Sequence, residues 1–239
     1  MTAAAQVVTF SGIDGAGKTT QIEFASWHLQ KKGYRIARAA FWEDVAVFPQ
    51  LRTDVSSRVI STAPDPSQPI SLRNDKNVRA WYLTLIRAMF YLLDTLRLRL
   101  VVRKLRATSV DFIIFDRYVY DLLVQIAPRH WYTRLYNRAL IALAPTPYLA
   151  FILDASPDEA FRRKPEYPLE FMHEYRRAFL RLRDFVPQLM VIPAGTVEDV
   201  QHRILESLLA PQRQSKKLND EGGDPAPYFP VDSGKQNTY

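Results

Sequence analysis

The sequence predicts a three-layer α/β/α fold, a five-stranded parallel sheet between two layers of helix, with a short lid. Three observations carry that expectation. Short apolar runs at Gln6–Phe10, Tyr34–Ala40, Asp111–Phe115, Tyr148–Leu153 and Leu189–Ile192 alternate with helical patterns, as strands joined by crossover helices do. With 239 residues, 47% of them hydrophobic, the chain is long and apolar enough for one core. The first run also opens directly onto a glycine-rich stretch followed by a helical pattern.

That stretch, Gly12-Ile13-Asp14-Gly15-Ala16-Gly17-Lys18-Thr19, spells G-x-x-x-x-G-K-T, the phosphate-binding loop pattern. Its glycines let successive backbone N–H groups turn inward around phosphate oxygens, and the following helix offers its positive end. Lys18 is placed to reach the β- and γ-phosphates of a bound nucleotide and the Thr19 hydroxyl to sit on Mg²⁺. Strand, loop and helix (Thr20 to Lys32, closed by Gly33) stand in the required order, so the expected fold is the P-loop NTPase type.

The second strand delivers Phe41-Trp42-Glu43-Asp44 to the carboxyl edge of the sheet, where ligands bind in open parallel sheets. Glu43 and Asp44 are readable there as acceptor-site carboxylates, as a general base, or as a polar loop start. Arg52 falls in a short helix, and the prolines at 64, 66 and 69 make a loop of 62–69. From about Asp75 to Leu105 one long helix is expected, with Leu98, Val101, Val102 and Leu105 on one apolar face. The bases Arg97, Arg99, Arg103, Lys104 and Arg106 read as a solvated face, because no aromatic interleaves them.

The third strand runs into Asp116-Arg117-Tyr118, and an acid at that strand end is where such proteins hold the second contact to magnesium. Helices follow at about Val119–Ile126 and Trp131–Leu143, then the fourth strand, ending at Asp154. Ser156-Pro157-Asp158-Glu159 reads as a capping box with proline at the first helical position. Prolines then bound a basic loop, about 161–168, carrying Arg162, Arg163 and Lys164, which reads as a lid able to close on triphosphate charge. A helix Leu169–Phe185, the fifth strand, a turn at Pro193-Ala194-Gly195 and a last helix Thr196–Leu209 complete the domain, residues 1–210.

After Ala210 the sequence turns polar and loses its periodicity, so 211–239 is expected to be a disordered tail. Its Arg213, Lys216, Lys217 and Lys235 balance Asp220, Glu221, Asp224 and Asp232, leaving the net charge of +7 on the folded body. That charge suits polyanionic ligands, which nucleotide phosphates satisfy without nucleic acid. The absence of cysteine excludes disulfides and thiolate chemistry. No histidine pair has metal-ligand spacing. Neither a signal peptide nor a membrane span is legible, so a soluble cytoplasmic protein is expected.

Gly12–Gln21, then Asp116-Arg117-Tyr118, then Leu153-Asp154 with a basic lid, then Ile192–Val200, resemble the thymidylate kinases over about Ala5 to Leu209. The resemblance implies Mg²⁺-dependent transfer of the ATP γ-phosphoryl group to a nucleoside monophosphate. It places Gly12, Asp14, Gly15, Ala16, Gly17, Lys18, Thr19 and Thr20 around the ATP phosphates, and Ala194, Gly195 and Thr196 beside the adenine. Lys18, Arg117 and a lid base among Arg162, Arg163 and Lys164 would be catalytic, the lid supplying the cation because the loop carries Ala16. Thr19 and Asp116 would hold the metal. Acceptor binding would fall to Asp14, Glu43, Arg52, Tyr91, Asp94, Arg117 and Tyr118. A homodimer through the helix preceding Asp116 is a further implication.

Two departures fall on the acceptor half. The family's Arg-Glu-Pro-Gly-Gly-Thr is replaced by Phe41-Trp42-Glu43-Asp44, and the arginine of its Phe-x-x-Asp-Arg helix by Thr95 after Tyr91 and Asp94. Three readings therefore stand: a nucleoside monophosphate kinase with thymidylate the leading acceptor; a deoxynucleoside or other small-molecule kinase using Glu43 as base; and a non-catalytic nucleotide-binding regulatory module. A GTPase switch is disfavoured by the lack of an Asn-Lys-x-Asp motif.

Overall fold

The computed structural model describes residues 4–47, 81–126, 130–186 and 188–220. The expectations for Arg52, for the 62–69 loop and for 221–239 lie outside the described residues. Five parallel strands, β1 (Gln6–Ser11), β2 (Ile36–Ala40), β3 (Phe112–Asp116), β4 (Leu149–Leu153) and β5 (Leu189–Ile192), form one sheet in the order β2-β3-β1-β4-β5. β1 lies at the centre, with Phe10 opposite Asp116 on one side and Phe151 on the other. The sheet matches the expected fold, and its strand ends differ from the sequence reading by one or two residues.

Alternation along these strands sorts the core into two layers. Val8, Phe10, Phe112, Ile114 and Phe151 face α1 (Lys18–Lys31) and the last helix, from which Ile22, Ala25, Leu29, Ile204 and Leu208 pack back. Val7, Ile113, Phe115, Ala150 and Ile152 face the opposite way, towards the remaining helices. Those are α2 (Trp81–Ala107), α3 (Val119–Leu123), α4 (Trp131–Leu143), α5 (Pro157–Arg163) and α6 (Leu169–Arg181), with the last helix numbered α7 (Val197–Asp220). Apolar runs buried on both faces are what an all-parallel sheet requires.

On α2, Leu98 and Val102 are buried and Val101 and Leu105 half-buried, while the five bases beside them are exposed, as a solvated face predicts. A second stripe on the same helix, Leu85, Met89, Leu93, Leu96 and Leu100, is exposed. None of the described helices is long and apolar enough to cross a membrane.

Five local expectations are corrected. Phe41–Val45 is a π-helical turn, held by Asp44, whose Oδ2 accepts from the Ala40 N–H at 2.7 Å. Ser156 and Pro157 do begin α5, but no side-chain cap bond forms, so the capping box is absent. α5 continues through Arg163, so of the three lid bases only Lys164 stands in the loop before α6. The Leu169–Phe185 helix ends at Arg181 and tightens into a 3₁₀ turn over Leu182–Asp184. The backbone of α7 also runs beyond Leu209, through Pro211, to Asp220.

Candidate active site

The phosphate loop leaves the C-terminal end of the central strand between β3 and β4, the place where open α/β sheets bind ligands. Two of its glycines are there because nothing larger fits. A Cβ on Gly12 would stand 2.6 Å from the Leu153 carbonyl oxygen, and one on Gly15 2.7 Å from that of Ala160. Both also have positive φ, 144° and 83°, which L side chains rarely adopt. The loop is thereby pressed against the end of β4 and the middle of α5, the helix that carries Arg162 and Arg163.

Lys18 closes the loop from within. Its Nζ donates to the carbonyls of Gly12 at 3.0 Å and Ile13 at 2.9 Å and lies 3.6 Å from Asp14. Burial, then the neighbouring Arg117 guanidinium, lowers its pKa against the opposing pull of Asp121, Asp14 and Asp116. Thr19 and Thr20 follow it, exposed, in the first turn of α1. Asp116 ends β3 beside this loop, and its Oδ1 is buried without a hydrogen-bond partner. A carboxylate oxygen left bare next to a phosphate loop fits a cation held jointly with Thr19.

Arg117 is the most heavily constrained side chain of the site. Its φ is 67°, and its N–H donates to the Phe10 carbonyl at 2.9 Å, so β1 dictates its backbone. The guanidinium bonds Asp14 of the loop through one nitrogen and Asp121 of α3 through the other, at 3.1 Å. Asp121 is wholly buried, and its other oxygen accepts from Ser11 Oγ at 2.7 Å and the Tyr118 N–H at 3.2 Å. Burial pushes the pKa of Asp14 up, but Arg117 and Lys18 together outweigh it and hold the carboxyl below the usual range.

From this cluster a cleft of about 1440 Å³ opens between α3, α4 and α6, lined by Asp14, Arg117 and Lys164 at one end. Its cations, among them Arg87, Arg134, Arg138, Arg177 and Arg181, outnumber its acids. Aromatic rings supply the other wall. Trp42 contributes from the π-helical turn, and Tyr167, Phe171 and Tyr175 form a ladder, with the last two rings stacked at 5.3 Å and 21°. Tyr175 also shares a side-chain hydrogen bond with Gln125, whose Oε1 accepts from the Tyr91 hydroxyl at 2.8 Å.

The acceptor expectations are redistributed by this arrangement. Tyr91, expected among the acceptor-binding residues, is buried with its hydroxyl donating to Gln125, so its ring belongs to the core. Asp94, with no exposure, accepts the Val47 N–H at 2.7 Å and anchors the chain after the π-helical turn. Tyr118 points into the core and donates to the Pro145 carbonyl at 2.6 Å. Glu43 is exposed, and the lining passes through its neighbour Trp42 without it. Arg162 and Arg163 are exposed on α5, the latter 3.7 Å from Glu159, while Lys164 reaches the cleft. Thr196 and Asp199 exchange backbone N–H bonds at 3.2 and 3.3 Å, a reciprocal cap on α7, with Ala194 and Gly195 exposed before it.

The residues not foreseen are Trp42, Asp121, Gln125 and the ladder of α6. The ladder had a legible signal, aromatics at 167, 171, 175 and 179, four residues apart, the last three on one face of α6. Asp121 had a weaker one, an acid four residues after Arg117.

No family model matches the chain. Among curated proteins, it is 24% identical over 202 residues to a probable thymidylate kinase of Methanosphaera stadtmanae, covering 81% of this chain and 91% of that one. A probable thymidylate kinase of Methanothermobacter thermautotrophicus is 27% identical over 183 residues, covering 74% and 80%. Among solved structures, the thymidylate kinase of Ehrlichia chaffeensis superposes with a TM-score of 0.55 at 17% identity, covering 86% of this chain and 99% of that one. Motif residues, sequence relatives and fold thus converge on the thymidylate kinases as the proteins to which this chain is similar.

Proposed function

We propose that the chain transfers the γ-phosphoryl group of ATP to a nucleoside monophosphate, with thymidylate (dTMP) the leading acceptor. The observation that carries this reading is Arg117, braced between Asp14 and Asp121 where the phosphate loop opens into a cationic, aromatic-lined cleft. The names of the sequence relatives support the same acceptor.

A monophosphate brings an oxygen that is already ionised, so the reaction needs no general base. It needs cations to hold two polyanions together and to meet the charge that develops on the transferring group. The attacking phosphate oxygen forms the new P–O bond as the bond to the β-phosphate breaks, and ADP leaves with the bridging oxygen. In the structure Lys18 is bonded to its own loop, and binding triphosphate would exchange those carbonyls for phosphate oxygens. Arg117 orients the acceptor phosphate, Asp14 takes the acceptor sugar hydroxyl, and Lys164 closes over the charge from the rim. Thr19 and Asp116 would hold Mg²⁺, which would supply positive charge against the phosphates. The adenine would lie against Ala194–Thr196. Trp42 and Phe171 supply the apolar faces on which the acceptor base stacks.

Nucleotide substrates of this kind fit a cytoplasmic enzyme. The exposed stripe Leu85, Met89, Leu93, Leu96 and Leu100 of α2 fits a homodimer, for which light scattering on the wild type and on Leu96→Asp is the check. The function itself is tested by ADP release from ATP and Mg²⁺ with a panel of monophosphates and nucleosides. Release that depends on a monophosphate, most strongly dTMP, is expected. Release with deoxythymidine but not dTMP, or with no acceptor at all, would overturn it.

A further inference from the structure

The transfer chemistry above assigns no part to Asp121, a carboxylate with no solvent exposure at the centre of the site. We propose that Asp121 is a positioning residue for this reaction, fixing the Arg117 guanidinium at the cleft and tying it, through Ser11, to the strand that carries the phosphate loop. The inference rests on the kinase reading.

Both oxygens of Asp121 are spent on donors. One takes the Arg117 guanidinium at 3.1 Å, and the other takes Ser11 Oγ at 2.7 Å and the Tyr118 N–H at 3.2 Å. Only the ionised carboxylate satisfies all three, and a buried charge is an expensive way to fill space that a neutral side chain could occupy. Burial pushes its pKa up, and Arg117 leads the groups that oppose the shift. The linkage also has a direction. Ser11 is the last residue of β1, immediately before Gly12, and the Arg117 main chain is bonded to Phe10 of the same strand. Arg117 is thus attached to the root of the phosphate loop twice, once by backbone and once through Asp121.

The two carboxylates around Arg117 are not equivalent. Asp14 is on the loop, part-exposed, and lines the cleft, so it can exchange partners when substrates arrive. Asp121 is enclosed and offers the guanidinium a partner that stays. An arginine held by Asp14 alone would swing with the loop, and small misplacements of a substrate-orienting group lower rates steeply.

The test is steady-state kinetics on the full chain, with acceptor and ATP varied separately, for wild type, Asp121→Asn, Ser11→Ala and the double variant. Asparagine keeps the shape but turns one of its acceptors into a donor facing donors. Asp121→Asn is expected to raise the acceptor KM and lower kcat each by about tenfold, with the ATP KM within about twofold. Ser11→Ala should give the same pattern at about threefold, and the double variant should be no worse than Asp121→Asn, because the two act through one linkage. A role confined to folding would lower the melting temperature and the active fraction while leaving both KM values in place. An unmoved acceptor KM in an active Ser11→Ala variant and in Asp121→Asn sinks the positioning role alone; if Asp121→Asn does not fold, Ser11→Ala decides by itself. A wild type that transfers phosphate to no monophosphate sinks the kinase reading, and this inference with it.

Discussion

The donor half of the proposed site and its proposed acceptor half are made of different materials. Around the phosphate loop the shape is set by the backbone, held by a strand, two glycines that admit no Cβ, and the first turn of a helix. Around the cleft it is set by side chains drawn from the π-helical turn, α2, α4 and α6, segments far apart in the chain. Backbone geometry needs a fixed local spacing, so eight consecutive residues specify the donor side. Side chains from separate helices can be exchanged for one another provided that charge and ring area are conserved.

The largest effect is expected where the donor half depends on one side chain. Lys18→Met keeps the length of the chain and removes the charge. Buried electrostatic contacts of this kind are worth about 3 kcal/mol or more, so kcat should fall by about 100-fold or beyond. The melting temperature should change little or rise, since Lys18 is a buried cation whose pKa burial already depresses. Full activity by ADP-release assay would break the donor side of the comparison.

That contrast also explains what was legible in the sequence. The five parallel strands and the strand–loop–helix order could be read, because alternation and spacing encode them directly, and the structure brings Asp116 and Arg117 to the end of β3 beside that loop. The directions of Tyr91, Asp94 and Tyr118 are not legible, because each is a polar or aromatic residue beside a motif, and sequence does not show which way it points. Asp94 went to the Val47 N–H and Tyr118 to the Pro145 carbonyl, partners 47 and 27 residues away. Lys164 is readable only as one of three lid bases; the end of α5 at Arg163 separates it from Arg162 and Arg163.

The lid offers the next largest effect and sits between the two halves. Lys164 lines the cleft, whereas Arg162 and Arg163 are exposed on α5. Lys164→Ala should lower kcat about tenfold with a smaller change in the ATP KM, less than a buried donor costs because salt screens an exposed charge. Arg162→Ala and Arg163→Ala should each stay within about twofold of wild type. Equal losses in all three singles would restore the lid as a cluster of interchangeable bases.

Phe171→Leu probes the ring wall while keeping an apolar side chain of similar volume. Losing one aromatic face removes about 0.5–1.5 kcal/mol beyond area burial, so the acceptor KM should rise roughly threefold to tenfold with kcat held. An unchanged acceptor KM would move base recognition off α6.

The smallest effect separates the monophosphate reading from a nucleoside kinase. A nucleoside presents a neutral hydroxyl whose proton must leave, and a positioned carboxylate typically contributes about 100-fold or more to that step. A monophosphate has no such proton to lose. Glu43 follows Trp42 in the π-helical turn, but its side chain is exposed and stands outside the lining of the cleft. Glu43→Gln should therefore leave kcat and both KM values within about twofold, the ordinary range for a surface substitution. The pH–rate profile should likewise keep its acid limb, because no essential base has been removed. A collapse of kcat in Glu43→Gln, with the melting temperature intact, would mean that the turn swings this carboxylate inward and that the acceptor oxygen arrives protonated.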